Sequence, residues 1–137
     1  MANKPTPINS TSQFQELLAS TTYVLVDFHA TWCGPCHAIA PVYETLSTQH
    51  TAKDAIAFVK VDVDEQPEIA AKYGITAMPT FLVIKEGNVV QTIRGANPPA
   101  LKKAVGEAVA EVKAAPKQEE AKAEGKSMLD MLGVKAN

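Results

Sequence analysis

The stretch Tyr23-Val24-Leu25-Val26-Asp27-Phe28 constrains the fold of this chain more than any other, because all its side chains but one are aliphatic or aromatic. A run that apolar does not alternate between a wet face and a dry one. It predicts a strand buried on both faces, at the centre of a sheet covered by helices. Asp27 is the interruption. A carboxylate inside such a strand is costly unless it is paired or held protonated at a raised pKa, so a proton-transfer role is expected of it.

The remaining elements follow from periodicity and punctuation. Ser10 with Gln13 fits a capping box, and Phe14, Leu17 and Leu18 come next at helical spacing, which predicts a helix over Thr11–Ser20. Ile39, Val42, Tyr43 and Leu46 place a second helix across Pro41, where a missing N–H predicts a kink. Residues 56–63, Ile-Ala-Phe-Val-Lys-Val-Asp-Val, read as a second central strand, after a short one near Ile8. A brief helix is expected over 67–73, stopped by Gly74. Strands at 80–84 and 89–93, joined by Lys85-Glu86-Gly87-Asn88, make an antiparallel hairpin. Asn97 caps a final helix with Pro98 in its first turn and an inner stripe of Leu101, Val105, Ala108, Val109 and Val112. The order β-α-β-α-β-α-β-β-α predicts an α/β fold, a mixed sheet with helices on both faces.

Length and composition set the limits. A chain of 137 residues, 46% hydrophobic, suits one domain of roughly 100 to 110 residues plus an appendage. The domain is expected over 1–113 and the appendage over 114–137. Residues 115–126 are mostly Ala, Lys and Glu with no large apolar side chain, which predicts a flexible tether. Beyond it, Met128, Leu129, Met131, Leu132 and Val134 form an apolar cluster, the expected docking element for a partner groove. With Arg94 as the single arginine and a net charge of -2, no nucleic-acid partner is expected. The first ten residues lack the apolar core of a signal peptide, and no run approaches the ~20 apolar residues that cross a bilayer. A reducing compartment is expected, the cytoplasm with the nucleus as the other candidate, and no membrane partner.

Both cysteines lie in Trp32-Cys33-Gly34-Pro35-Cys36, between the central strand and the helix that follows. Two thiols at this spacing close a small ring, so dithiol and disulfide interconvert without rearranging a fold. The loop is too short to add much stability, which makes the pair a redox centre and not a structural staple. A thiolate at a helix start is stabilised by unpaired N–H groups and the positive dipole end. Cys33 is therefore the expected nucleophile, with exposed neighbours, and Cys36, one turn in, the more shielded partner. Gly34 and Pro35 limit loop freedom and are expected to set the balance between the two redox states. His37 completes a C-x-x-C-H pattern, that of covalent haem attachment, and with the cysteines supplies three zinc ligands. The lack of an export signal and of a fourth ligand weighs against both, so no cofactor is expected beyond the disulfide itself.

With these elements in this order, the chain resembles the thioredoxin family over about residues 7–112. The resemblance rests on Val26-Asp27-Phe28, Ala30-Thr31-Trp32-Cys33-Gly34-Pro35-Cys36, Val59-Lys60-Val61-Asp62, Tyr73-Gly74-Ile75, Met78-Pro79-Thr80-Phe81 and Gly95. It implies a thioredoxin fold, a central five-stranded mixed sheet flanked by four helices, the first three strands parallel and the last two antiparallel. It implies a protein-disulfide reductase serving cell redox homeostasis, in which Cys33 attacks a client disulfide and Cys36 resolves the mixed disulfide. Electrons would return from thioredoxin reductase, a flavoprotein using NADPH. By the same resemblance Asp27 moves a proton to and from Cys36, Lys60 tunes Asp27, and Pro79 after Met78 is a cis-proline opposite the cysteines. Trp32, Ile75, Ala77, Met78, Gly95 and Ala96 would form a shallow docking surface around it. Two histidines depart from the family pattern. His29 replaces an aromatic residue or serine on the Asp27 face of its strand, and His37 replaces a lysine or arginine.

Overall fold

The computed structural model describes residues 4–114, so the expected tether and the cluster from Met128 to Val134 lie outside the described residues. The elements are β1 (Thr6–Pro7), α1 (Thr11–Ser20), β2 (Tyr23–His29), α2 (Gly34–His50), β3 (Ile56–Asp62), α3 (Pro67–Lys72), β4 (Thr80–Lys85), β5 (Asn88–Arg94) and α4 (Pro98–Ala114). The sheet has five strands in the order β1-β3-β2-β4-β5, with β2 at its centre as its apolar run requires. β1 and β2 each pair parallel with β3, while β4 runs antiparallel to both β2 and β5.

Side-chain alternation along β2 separates two environments. Val24, Val26 and Phe28 point into one core with Phe14 of α1 and Ile69 of α3. Leu25 and Asp27 face the other way, toward α2. There Tyr43 stacks against Phe58 and Phe81 with ring centroids 5.6 and 5.4 Å apart. Its buried hydroxyl lies 2.8 and 2.7 Å from the Leu25 and Val59 carbonyl oxygens, between which it shares its one proton, tying α2 to both central strands. Tyr43→Phe should lower stability by about 1 to 2 kcal/mol in urea unfolding, through loss of this buried hydrogen bond. An unchanged midpoint would mean that the hydroxyl holds nothing.

Several boundaries differ from the sequence reading, each for a local reason. β3 stops at Asp62, not residue 63, because the Asp62 carboxylate turns back to accept from the Asp64 and Glu65 N–H groups at 2.8 and 3.3 Å. α3 ends at Lys72, with Tyr73 as its cap and Gly74 at φ 65°, a left-handed value suited to glycine. The hairpin loop shrinks from four residues to Glu86-Gly87, because Lys85 pairs with Asn88 and both loop residues take positive φ, 51° and 85°. That mirror-image turn matches the twist of the strands it joins. α2 continues across Pro41 over Gly34–His50.

Among the described residues, contacts divide the chain into two units between Gly106 and Glu107. Asn97 caps α4 as expected, its side chain accepting from Ala100 N–H at 3.1 Å. Leu101, Val105 and Ala108 of the stripe are buried and Ala104 joins them, whereas Val109 and Val112 are only half-buried.

Candidate active site

β2 ends at His29, and the chain turns through Ala30, Thr31 and Trp32 into α2. Cys33 is the N-cap of α2, with φ -90° and ψ 109°. Its sulfur accepts from the Cys36 N–H at 3.2 Å, and its carbonyl from the His37 N–H at 3.3 Å. Pro35 stands in the first helical turn, where a missing N–H removes no intrahelical bond. The turn thus aims an N–H group and the positive end of a 17-residue helix at the Cys33 sulfur. Cys33 and Cys36 are joined as a disulfide with their Cα atoms 5.3 Å apart.

The contrast in shielding expected between the two cysteines is absent, since both are 5% exposed. Ala30, Val63 and Met78 pack around both cysteines. What distinguishes Cys33 is its setting. Trp32, Gly34 and Pro35 are exposed beside it, and its Sγ lies 3.6 Å from the Met78 carbonyl oxygen. An oxidised sulfur has no proton to donate, so that approach becomes a hydrogen bond only in the dithiol state.

Met78-Pro79 is a cis peptide bond, as the family resemblance implied. Pro79 is buried, and its carbonyl accepts from Gly95 N–H at 2.9 Å. Gly95, at φ 99°, holds a conformation that side chains disfavour. Ala96 and Ala77 are exposed, and the Ala77 carbonyl accepts from the Thr80 hydroxyl at 2.8 Å. Trp32 is 68% exposed, yet its indole N–H donates to the Asp64 carboxylate at 2.9 Å, which fixes the ring. Ile75 is half-buried, packed against the core on the α1 and α3 side.

Asp27 is buried beneath α2, and its Oδ1 has no hydrogen-bond partner. Burial raises its carboxyl from 3.8 to about 7, against the pull of Lys60. Lys60 is directly opposite in the β2–β3 register. Burial, with the Asp27 charge second, also pushes the Tyr43 hydroxyl well above its ordinary 10. His29 is half-buried, and burial with the Lys60 charge holds its imidazole below the ordinary 6.5, against Asp62 and Glu65. His37 Nε2 meets the Thr31 carbonyl at 2.8 Å, so that nitrogen carries the proton and the ring braces the loop. Among the described residues, no three His, Cys, Asp or Glu side chains converge as a metal site.

Three contributors escaped the sequence reading. Asp64 holds Trp32, the buried Tyr43 hydroxyl feels the Asp27 charge, and Val63 lines the cysteines. Only Tyr43 left a signal, as an aromatic with a polar tip on an inward helix stripe.

The thioredoxin family profile matches residues 5–107. A thioredoxin-like protein of Fusarium culmorum is 56% identical over 99 residues, 69% of this chain and 82% of its own length. Thioredoxin-1 of Saccharomyces cerevisiae is 45% identical over 100 residues, 73% and 94% of the two chains. The crystal structure of Malassezia sympodialis thioredoxin superposes with a TM-score of 0.72 at 42% identity, covering 80% of this chain and 95% of that one.

Proposed function

Because this chain belongs to the thioredoxin family and is a protein-disulfide reductase acting through Cys33 and Cys36, we propose that Cys33 is the attacking sulfur and Cys36 the resolving one. The observation that carries this division is the Cys36 N–H aimed at the Cys33 sulfur from the start of α2. It stabilises a thiolate at Cys33 and leaves Cys36 one turn inside.

The exchange proceeds in two displacements. The Cys33 thiolate attacks one sulfur of a client disulfide. A mixed disulfide forms and the second client sulfur leaves as thiolate. Cys36, losing its proton to Asp27, then attacks Cys33 Sγ, closing the internal disulfide and releasing the first client sulfur. Two electrons pass to the client, and the redox couple is the chain's own disulfide. In the return direction Asp27 gives its proton to the Cys36 sulfur. A carboxyl near 7 serves both directions at neutral pH, and Lys60 limits how far burial raises it.

The exposed Trp32 face with Met78, Pro79, Gly95 and Ala96 is assigned to client docking, the Met78 backbone pairing an extended client segment. Gly34 and Pro35 set the redox balance, and Ile75 and Ala77 extend the docking face. Thioredoxin reductase, drawing on NADPH, is the proposed electron source, and the cytoplasm or nucleus the proposed compartment, since the dithiol must be regenerated. No described helix is long and apolar enough to cross a membrane. Residues 1–113 are taken as the catalytic domain and 114–137 as an appendage for partner docking, a division supported by the profile match over 5–107.

The direct test is reduction of insulin by dithiothreitol, followed by turbidity. The wild type should shorten the lag, and Cys33→Ser should return it to that of dithiothreitol alone. Equal acceleration by that variant would remove the reading.

A further inference from the structure

Beside the docking face lies a groove of about 310 Å³ that the exchange reaction does not use. Tyr73, Leu82 and Val89 give it an apolar strip among Thr76, Thr80 and Thr92, and two cations, Lys72 and Arg94, line it, with no acidic residue among the lining groups. Arg94 is the single arginine of the chain. The groove is continuous with the docking face at two points. Ile75 lines it, and Arg94 stands opposite Thr80 in the β4–β5 register, each next to one of the hydrogen-bonded pair Pro79 and Gly95. From there it follows the edge strand β5, where Val89 is 43% exposed.

We propose that this groove holds the segment flanking the attacked cysteine of a client, and that it selects segments carrying acidic side chains. The apolar strip accepts one client side chain of Val or Leu size, while the Arg94 guanidinium and the Lys72 ammonium pair with carboxylates on either side of it. Lys72 lies 5.7 Å from the centre of the Tyr73 ring, which holds its charge at the groove. The inference rests on the reading of Cys33 as the attacking group, and it adds a preference among clients to that reading.

The test uses two synthetic peptides with one internal disulfide each, identical except that Asp-Val-Asp in one is Asn-Val-Asn in the other. Each is reduced under single-turnover conditions by the pre-reduced full-length protein at low salt. The wild type should reduce the acidic peptide about fivefold faster, the effect of two exposed charge pairs. The ratio should fall to one or below with Arg94→Glu and Lys72→Glu together, and approach one at ~1 M salt. Because it is taken within each variant, any effect of the substitutions on folding or on Cys33 cancels. Turnover of both peptides at one rate by the wild type would overturn the groove assignment alone. Turnover of neither would remove it together with the reading beneath it. A second copy of this chain as occupant would show as concentration-dependent dimerisation lost in the charge-reversed variant, and would also overturn the client assignment.

Discussion

Cys36→Ser should convert the protein into a covalent trap, accumulating mixed disulfides with clients through Cys33, while turnover falls to the rate of added dithiothreitol alone. Without Cys36 the first displacement still occurs, because everything that activates Cys33 belongs to the backbone of the α2 start. The second displacement has no attacking group. Cys33→Ser should neither trap nor turn over, since a serine hydroxyl is not ionised at neutral pH and the N–H aimed from the start of α2 serves position 33. Non-reducing gels of reduced variants mixed with a disulfide-bonded client read both results. Adducts forming as well through Cys36 in Cys33→Ser would reverse the assigned roles. The same trap in a chain ending at Ala114 addresses the appendage, and an unchanged set of captured clients would remove its docking role.

Asp27→Asn should raise stability at alkaline pH while slowing the resolving step. The folded carboxyl titrates at about 7 against an ordinary 3.8, so between these values the folded state binds more protons than the unfolded one. Stability attributable to this group therefore falls as pH rises from about 4 to about 7 and stays low above that. The gap of about three pH units corresponds to about 4 kcal/mol. That is an upper value for the gain, because an amide in the same place still lacks a partner for its oxygen. Urea unfolding should show the variant more stable by about 2 to 4 kcal/mol at pH 8 and nearly equal to wild type at pH 3.5. A variant less stable at pH 8 would mean that the carboxylate is paired in solution. Mixed-disulfide intermediates should persist longer in the variant at pH 7, because Cys36 has lost the group that takes its proton.

The centre of the fold was legible because its cause is local. Continuous apolar character places β2 in the middle of the sheet, and the Asp27 interruption in that run points to a buried carboxylate. Caps and breakers fixed α1, the Asn97 start of α4 and the Gly74 stop within a residue or two. Details that depend on pairing or on distant contacts were not legible. The Glu86-Gly87 turn became short because Lys85 and Asn88 pair, a register property, and β3 lost its last residue to a capping carboxylate. Helical position alone suggested that Cys36 would be more shielded than Cys33, but Ala30, Val63 and Met78 pack around both and burial is equal. The cis bond before Pro79 came from family resemblance, since no residue spacing dictates it. Asp64, which fixes Trp32, is separated from it by 32 positions and by a fold that must form first.

The whole scheme depends on an acidic, reachable sulfur at Cys33, and alkylation of the fully reduced protein across a pH series measures that directly. Iodoacetamide rates are read at each cysteine by mass spectrometry, with glutathione as the reference thiol. Cys33 is expected to reach half its maximal rate well below the ~8.5 of an unperturbed thiol, with Cys36 reacting slowly across the same range. Midpoints at both cysteines equal to that of glutathione would contradict the account.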